Sequence, residues 1–499
     1  MATAVLTSVP TTITLCESIV DFSGDTFSLE PDIKVQGGNS VSCAMTNNGV
    51  NTIAYATSFA VTNQHIRLWA NFTFVGNIDT KANNGIQISV VSGSGTALYT
   101  VDGAGLGEYA GGWKQFVIYT GNTPTSGSVP SGTCTSVGFQ VNTTSKPRNQ
   151  PANAYFDAWY YGDGYTVTGG TSGDEIDWSH VAALDKTEAY GIVDRIDDIY
   201  FFAGDVKVGN GATTTFFKSG QKIQFKDLNV STILYGVTFQ GSGCNIDISG
   251  GAYGAAGVQD YTFNTDDVNL ATFTLTGVQF SKASTITFKA GQSVTNTVFD
   301  ACELIEQNGA TFDNITISNG TGVHHSSVTD FSLFTNINLI SSGTGYGILT
   351  VEGIGDIALS NVNFSNYGAN DTANAGIDYT GITAINVSYT GGTEPTVNPT
   401  SLVTVLQNQN TITLNNLKNP TKVYLVNTDL PETDVDFILD SSLVTTGTYT
   451  YTFTQGSNIN SLYRLISLQY KTIEQDVVLG STDITIPISQ QIDREYANN

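Results

Sequence analysis

Asp300, Glu303 and Glu306 form the densest acidic group in the middle of the chain, with Asp313 shortly after. Paired carboxyls are the working parts of most glycoside hydrolases, about 5 Å apart for retention and about 6.5–9.5 Å for inversion. On one unbroken strand Asp300 and Glu306 share a face, because side chains alternate with a period of two. Carboxylates on neighbouring coils, stacked about 4.8 Å apart, also come within pairing range. The competing reading is a solvated flank, since the chain carries 44 Asp and Glu against 19 Lys and Arg. No residue is therefore assigned as catalytic, and Asp300, Glu303 and Glu306 stand only as candidates. Asp260, Asp266 and Asp267 form a second acidic group.

A second constellation suits binding rather than cleavage. Tyr155, Asp157, Trp159 and Tyr161 alternate along one predicted strand and project from one face. Flat aromatics stack on sugar rings, and a carboxylate accepts from sugar hydroxyls. The opposite face, Phe156, Ala158 and Tyr160, then supplies the core. The alternative is that Trp159 itself faces the core, as large aromatics in strands usually do.

Metal and cofactor chemistry finds little purchase. His324 and His325 are adjacent, and neighbours on a strand point to opposite faces, so a turn or a subunit contact explains them better than chelation. His65 and His180 have no partner nearby in sequence. Asp434 with Asp436, and Asp194 with Asp197 and Asp198, lack EF-hand spacing. No GxSxG, HExxH or Walker loop occurs. The expectation is no metal and no cofactor.

The elements that position these residues come from a repeat. Asn or Gly, then Val, Ile or Thr, then any residue, then a large apolar residue recurs seven times, ending at Phe239, Phe280, Phe299, Ile317, Leu339, Phe364 and Tyr389. The intervals are 41, 19, 18, 22, 25 and 25, the first equal to two steps. A period near twenty with one short strand per step marks a solenoid. The second and fourth residues of each copy are expected to face inward, with the Asn or Gly at a corner in left-handed backbone. Stacked Asn side chains form a ladder in this reading.

The fold expected is all-β: a jelly-roll-like domain over 1–169, a linker and capping helix over 170–199, a right-handed parallel β-helix over 200–395, and a C-terminal β-sandwich over 396–499. Ile66–Phe72, Gly112–Ile118 and Tyr155–Tyr161 supply strands of the first domain. Ser179–Tyr190 is the helix, with Val181, Leu184 and Ala189 sharing a face that covers the end of the first coil. Thr421–Val426, Tyr449–Phe453 and Ile484–Ile488 are strands of the last.

Composition narrows the partners. A net charge of −25 argues against nucleic acid and anionic membrane. Only 13% of residues are charged, so Thr, Ser, Asn and Gly must build the surface, as on extracellular β-proteins and virions. Cys16, Cys43, Cys134, Cys244 and Cys302 are scattered and odd in number, which reads as buried thiols rather than a disulfide framework. The start, Met1 to Val5, has no basic or long apolar segment and is not expected to direct secretion. No run is long enough to span a membrane.

A jelly-roll-like head, a linker helix, short β-coils carrying the pattern at 236–389 and a terminal sandwich together resemble tailed-bacteriophage virion appendages: tailspikes, head fibres and decoration proteins. The resemblance implies a structural virion protein, a homotrimer beside other virion proteins, contacting host-surface glycans. About eight or nine coils is short for a polysaccharide-degrading spike, so the expectation is a non-enzyme. The alternatives are a tailspike depolymerase and a bacterial surface or adhesion protein.

Overall fold

The computed structural model describes residues 4–24, 26–46, 48–73, 77–103, 112–144, 152–170, 174–209, 214–226, 234–241, 243–255, 261–265, 270, 272–320, 323–325, 334–350, 356–407, 409–454, 459–480 and 483–493. The chain is all-β, with one α-helix, Trp178–Glu188, among these residues. It divides into two compact units, Met1–Gln292 and Ser293–Asn499.

The first unit opens with two antiparallel sheets. One runs in the order Trp113–Tyr119, His65–Phe72, Ala152–Tyr161, Ser40–Met45, Phe27–Glu30. The other runs Phe22–Gly24, Gly49–Ala60, Thr133–Thr143, Ile86–Ser92, Gly95–Asp102. Alternation sends apolar residues from both into one core, where Phe139 meets Phe72, Phe116 and Trp159 edge-on at 5.6–5.8 Å. Each such ring, fully buried, stabilises by roughly 1.5–3 kcal/mol relative to exposure.

Parallel pairing begins where the sandwich ends. Gly164–Thr168 pairs with Asp205–Val208, which begins a parallel ladder through Tyr235–Phe239, Tyr261–Asn264 and Ala283–Thr287 in chain order. A second ladder holds Thr215–Ser219, Asn245–Ser249 and Thr272–Thr276. A third holds Ile199–Phe202, Lys222–Phe225, Ala252–Ala255 and Gln279–Ser281. Aromatic rings stack inside: Tyr253 lies 5.3 Å from Phe280 and nearly parallel to it, and Phe263 lies 5.0 Å from Phe280. The helix plugs this core. Trp178, fully buried at its first turn, touches Phe202 at 5.0 Å and Phe216 at 4.8 Å, and its Nε1 donates to the Tyr253 hydroxyl at 3.3 Å. Asp177 caps the helix by accepting from Ser179 N and His180 N.

In the second unit, parallel ladders run Leu304–Glu306, Val323–His325, Ile348–Thr350, Ile377–Tyr379, Val397–Asn398. Beside them run Val298–Asp300, Thr311–Ser318, Phe334–Ile340, Ile357–Ser365, Ile385–Thr390 and Val403–Gln407. Phe299, Ile317, Leu339 and Phe364 occupy one column. Two copies of the repeat fall elsewhere. Phe239 belongs to the ladder of Val208, whereas Phe280 pairs with Tyr253 in another. Tyr389 pairs with Leu359 rather than Phe364. The strand motif recurs while the turn lengths between copies vary, so equal motifs do not always occupy equal places.

The inward positions behave uniformly. The second and fourth residues of all seven copies are buried, Phe364 alone being half-exposed. Asn296, Asn314, Asn336 and Asn361 turn corners at φ 52–56°, where Asn is tolerated among L-residues. Their amides bond from coil to coil: Asn314 to Asn296 at 2.6 Å and Asn361 to Asn336 at 3.2 Å. Asn336 reaches Asp313 instead, at 2.9 Å. Parallel pairing continues to Gln407, beyond residue 395. After it, sheets of three and four strands enclose a separate core containing Leu414, Val423, Leu425 and Tyr463.

Candidate functional site

The aromatic quartet does not form a surface platform. A bulge at Ala158, φ 48°, shifts register between Asp157 and Trp159. One inserted residue reverses every later side chain. Tyr155 and Asp157 therefore stay on the outer face, while Trp159 and Tyr161 turn toward the core between the sheets. Trp159 is fully buried, its Nε1 donating to Trp69 O at 3.2 Å, and Tyr161 stacks on Phe59 at 4.1 Å. Asp157 is buried too, accepting from Val35 N at 2.6 Å and Gln36 N at 2.9 Å, and burial pushes its carboxyl up to about 6. Glycan contact through Tyr155, Asp157, Trp159 and Tyr161 is corrected accordingly: three are buried, and the fourth is half-buried against Phe59.

The acidic candidates are also separated. Residues 301–303 break the strand, Ala301 adopting φ 52°, so Asp300 ends one strand and Glu306 ends another in a different sheet. Asp300 accepts from Ser318 Oγ at 2.9 Å and Asn319 Nδ2 at 2.7 Å, which makes it a link between coils. Glu303 is exposed on the turn. Asp313 lies opposite Thr295, not Asp300, and holds Asn336. The face shared by Asp300 and Glu306 does not exist. His324 and His325 follow Glu306 and precede Thr350 in register. Asp260, Asp266 and Asp267 lie outside the described residues. No group of three or more His, Cys, Asp or Glu stands close enough to hold a metal among the described residues.

A concave site does exist in the first unit, where the outer face of the sandwich meets the helix. The cleft has a volume of about 1020 Å³. The strand Trp113–Tyr119 presents Trp113, Gln115, Val117 and Tyr119, all half-buried, beside Trp69. The segment Tyr99–Val101 and residues 122–125 add Thr100, Asn122, Thr123 and Thr125. The helix adds Ser179, Ala183 and Lys186, and the stretch after it adds Asp194 and Arg195.

Local contacts hold this lining still. Trp69 Nε1 donates to Ala189 O at 2.8 Å, and Gln115 Nε2 donates to Tyr190 O at 2.5 Å, tying the sheet to the end of the helix. Ala189 turns at φ 56° and ends the helix. At Gly191, φ 65°, a Cβ would stand 2.4 Å from the Gln115 amide, so a larger residue would displace that amide and strain the backbone. The buried Asp185 accepts from Gly191, Ile192 and Val193 N–H at 2.7, 3.0 and 3.0 Å, folding the chain back beneath the helix. Burial still dominates its ionisation and pushes the carboxyl up to about 6. Tyr99 is anchored by donating to Thr120 O at 3.0 Å.

Cations are concentrated in the lining of the cleft. Lys81, Lys114, Lys186, Arg195 and Lys226 line it, against the carboxylates Asp185 and Asp194. Arg195 is held by Asp197 O at 3.0 Å, by Asp198 at 3.5 Å and by the Tyr200 ring at 5.6 Å. Lys114 pairs with Asp102. Burial holds the Lys226 amine below its usual range, with Asp194 and Asp185 partly opposing the shift. The sequence reading marked Ile66–Phe72 and Gly112–Ile118 as strands without seeing a site, because the lining converges from separated stretches.

No protein-family model matches this chain, and no curated protein does. Solved structures similar to it include TmCBM61 in complex with β-1,4-galactotriose, at 14% identity and TM-score 0.18, spanning 28% of this chain and 85% of the other. Another is the catalytic unit of a thermostable GH87 α-1,3-glucanase from Streptomyces thermodiastaticus strain HF3-3, at 9% identity and TM-score 0.17, spanning 81% and 95%. Both are carbohydrate proteins by name, and at these scores neither assigns a function here.

Proposed function

We propose that this protein is a non-enzymatic structural component of a tailed-phage virion, an exposed decoration, fibre or tail appendage, and that it holds host-surface saccharide in the cleft beside the helix. The carrying observation is the cleft itself: half-buried indoles of Trp69 and Trp113 on one sheet face, with Tyr119, Asn122 and Thr123 also lining it. Saccharides are bound by that combination, apolar ring faces for the C–H surface and polar groups for the hydroxyls. Binding without cleavage follows from the carboxylates present. Both Asp185 oxygens are engaged by backbone N–H groups beneath the helix, leaving Asp194 as the remaining lining carboxylate among the described residues, whereas hydrolysis needs a cooperating pair. The virion role is supported by the repeated coil pattern and by a surface poor in charge. A parallel β-helix assembled as a homotrimer is part of this proposal.

Two measurements test it. Incubation with host-surface polysaccharide is expected to give retention on the immobilised glycan and no new reducing ends; release of reducing ends overturns the non-enzymatic reading. Electron microscopy of purified particles is expected to place the chain on the virion surface, and its absence there overturns the virion role.

A further inference from the structure

We infer that the saccharide the cleft takes is acidic, a chain bearing uronic carboxylates. This rests on the proposal that the cleft binds saccharide and adds the ligand's charge class. The chain has a net charge of −25, yet among the described residues the cleft is lined by five of its 19 Lys and Arg against Asp185 and Asp194, two of the five, Lys114 and Arg195, being already paired with Asp102 and Asp198. A neutral ligand gives no reason for that local surplus of cations. Cations set in a cleft concentrate anionic ligands by focusing the field. Two of them are held in place: Arg195 by Asp197 O, Asp198 and the Tyr200 ring, and Lys114 by Asp102. A fixed guanidinium loses less entropy on meeting a carboxylate than a free one. Lys186 stands in the last turn of the helix, where a cation also complements the helix dipole. Lys226 is half-buried and sits 6.0 Å from the Phe201 ring. Burial disfavours its charge, so an arriving carboxylate strengthens its protonated form.

The volume of about 1020 Å³ exceeds what a lone carboxylate or phosphate fills, and the indoles and hydroxyls need a ligand with ring faces and hydroxyls. Nucleic acid also offers negative charge and flat rings, but the net charge of −25 opposes a long polyanion lying beyond the cleft. A short acidic oligosaccharide meets the cations without covering the acidic remainder.

The test uses the full chain and a panel of glucuronate-, galacturonate- and mannuronate-containing oligosaccharides, each paired with its carboxyl-reduced counterpart. Titration calorimetry at low salt is expected to show at least one acidic member bound tenfold or more tighter than its reduced form, with the preference shrinking in 0.5 M NaCl. Lys186→Ala with Arg195→Ala, both exposed positions, is expected to lower that preference to about threefold or less. Trp113→Ala is expected to weaken both forms. Equal affinity for acidic and reduced members overturns the inference and leaves saccharide binding standing. Binding of neither form overturns saccharide binding itself. An oligonucleotide bound as tightly as the best acidic oligosaccharide overturns the choice of saccharide over other polyanions.

Discussion

Lys218 gives the sharpest stability test. It lies on the strand Thr215–Ser219, fully buried, its Nζ donating to Gly250 O at 3.0 Å and lying 4.8 Å from the Tyr253 ring. Gly251 leaves room for the amine; a Cβ there would stand 2.7 Å from Nζ. Burial lowers its pKa from 10.5 to about 7. A base whose folded pKa lies below its unfolded value costs stability as pH falls from 10.5 toward 7, and the cost is constant below that. A shift of about 3.5 units at 1.36 kcal/mol each is roughly 5 kcal/mol at acid pH and roughly 4 kcal/mol at pH 7. Lys218→Met removes the amine and keeps the length. Loss of the bond to Gly250 O takes back about 1 kcal/mol. The net gain at pH 7 is therefore about 3 kcal/mol, or roughly 6 °C in the melting of the first unit. Thermal melts from pH 6 to 10 are expected to show the variant above wild type at pH 7, with the gap closing toward pH 10. Lys222→Met, at an exposed position, serves as the control and should leave the melt unchanged. A variant that melts at or below wild type at pH 7, or a gap independent of pH, refutes the reasoning.

Other outcomes follow from the same geometry. Trp159→Ala empties the core between the sheets and should destabilise the first unit by about 3–5 kcal/mol; a wild-type melt would mean the ring is not packed there. Asp185→Asn places an amide against three N–H donors and should cost about 1–3 kcal/mol at pH 7. The Asp185 carboxyl, raised to about 6 from 3.8, favours the fold increasingly as pH falls from 7 to 4, by roughly 2.5 kcal/mol. The gap between wild type and Asp185→Asn should widen over that range, and a constant gap in denaturant titrations contradicts the shift. Asn361→Ala, at φ 52° and bonded to Asn336, should cost about 1–2 kcal/mol, with Asn361→Gly costing less because glycine accepts that backbone freely. Equal losses for Ala and Gly would remove backbone strain from the account.

Much of the inward face of the parallel ladders was legible in the chain, because strand parity is a local property. A Val-x-Phe or Ile-x-Ile triplet states which residues face inward, and Val278, Phe280, Ile315 and Ile317 are all buried. Asn at the corners was equally legible, since few L-residues adopt left-handed backbone. The all-β class followed from the same short strands. Column membership did not, because turns of unequal length separate equal motifs: Phe239 and Phe280 lie in different ladders.

The bulge at Ala158 carried no signal in composition, and one residue there moved Trp159 from the outer face to the core. The break at Ala301 likewise parted Asp300 from Glu306. The cleft was out of reach for a different reason. Trp69, Trp113, Lys186 and Lys226 are far apart in sequence and meet only once the helix has docked on the sheet. Local backbone preference set what each segment became, and long-range packing alone decided which segments share a surface.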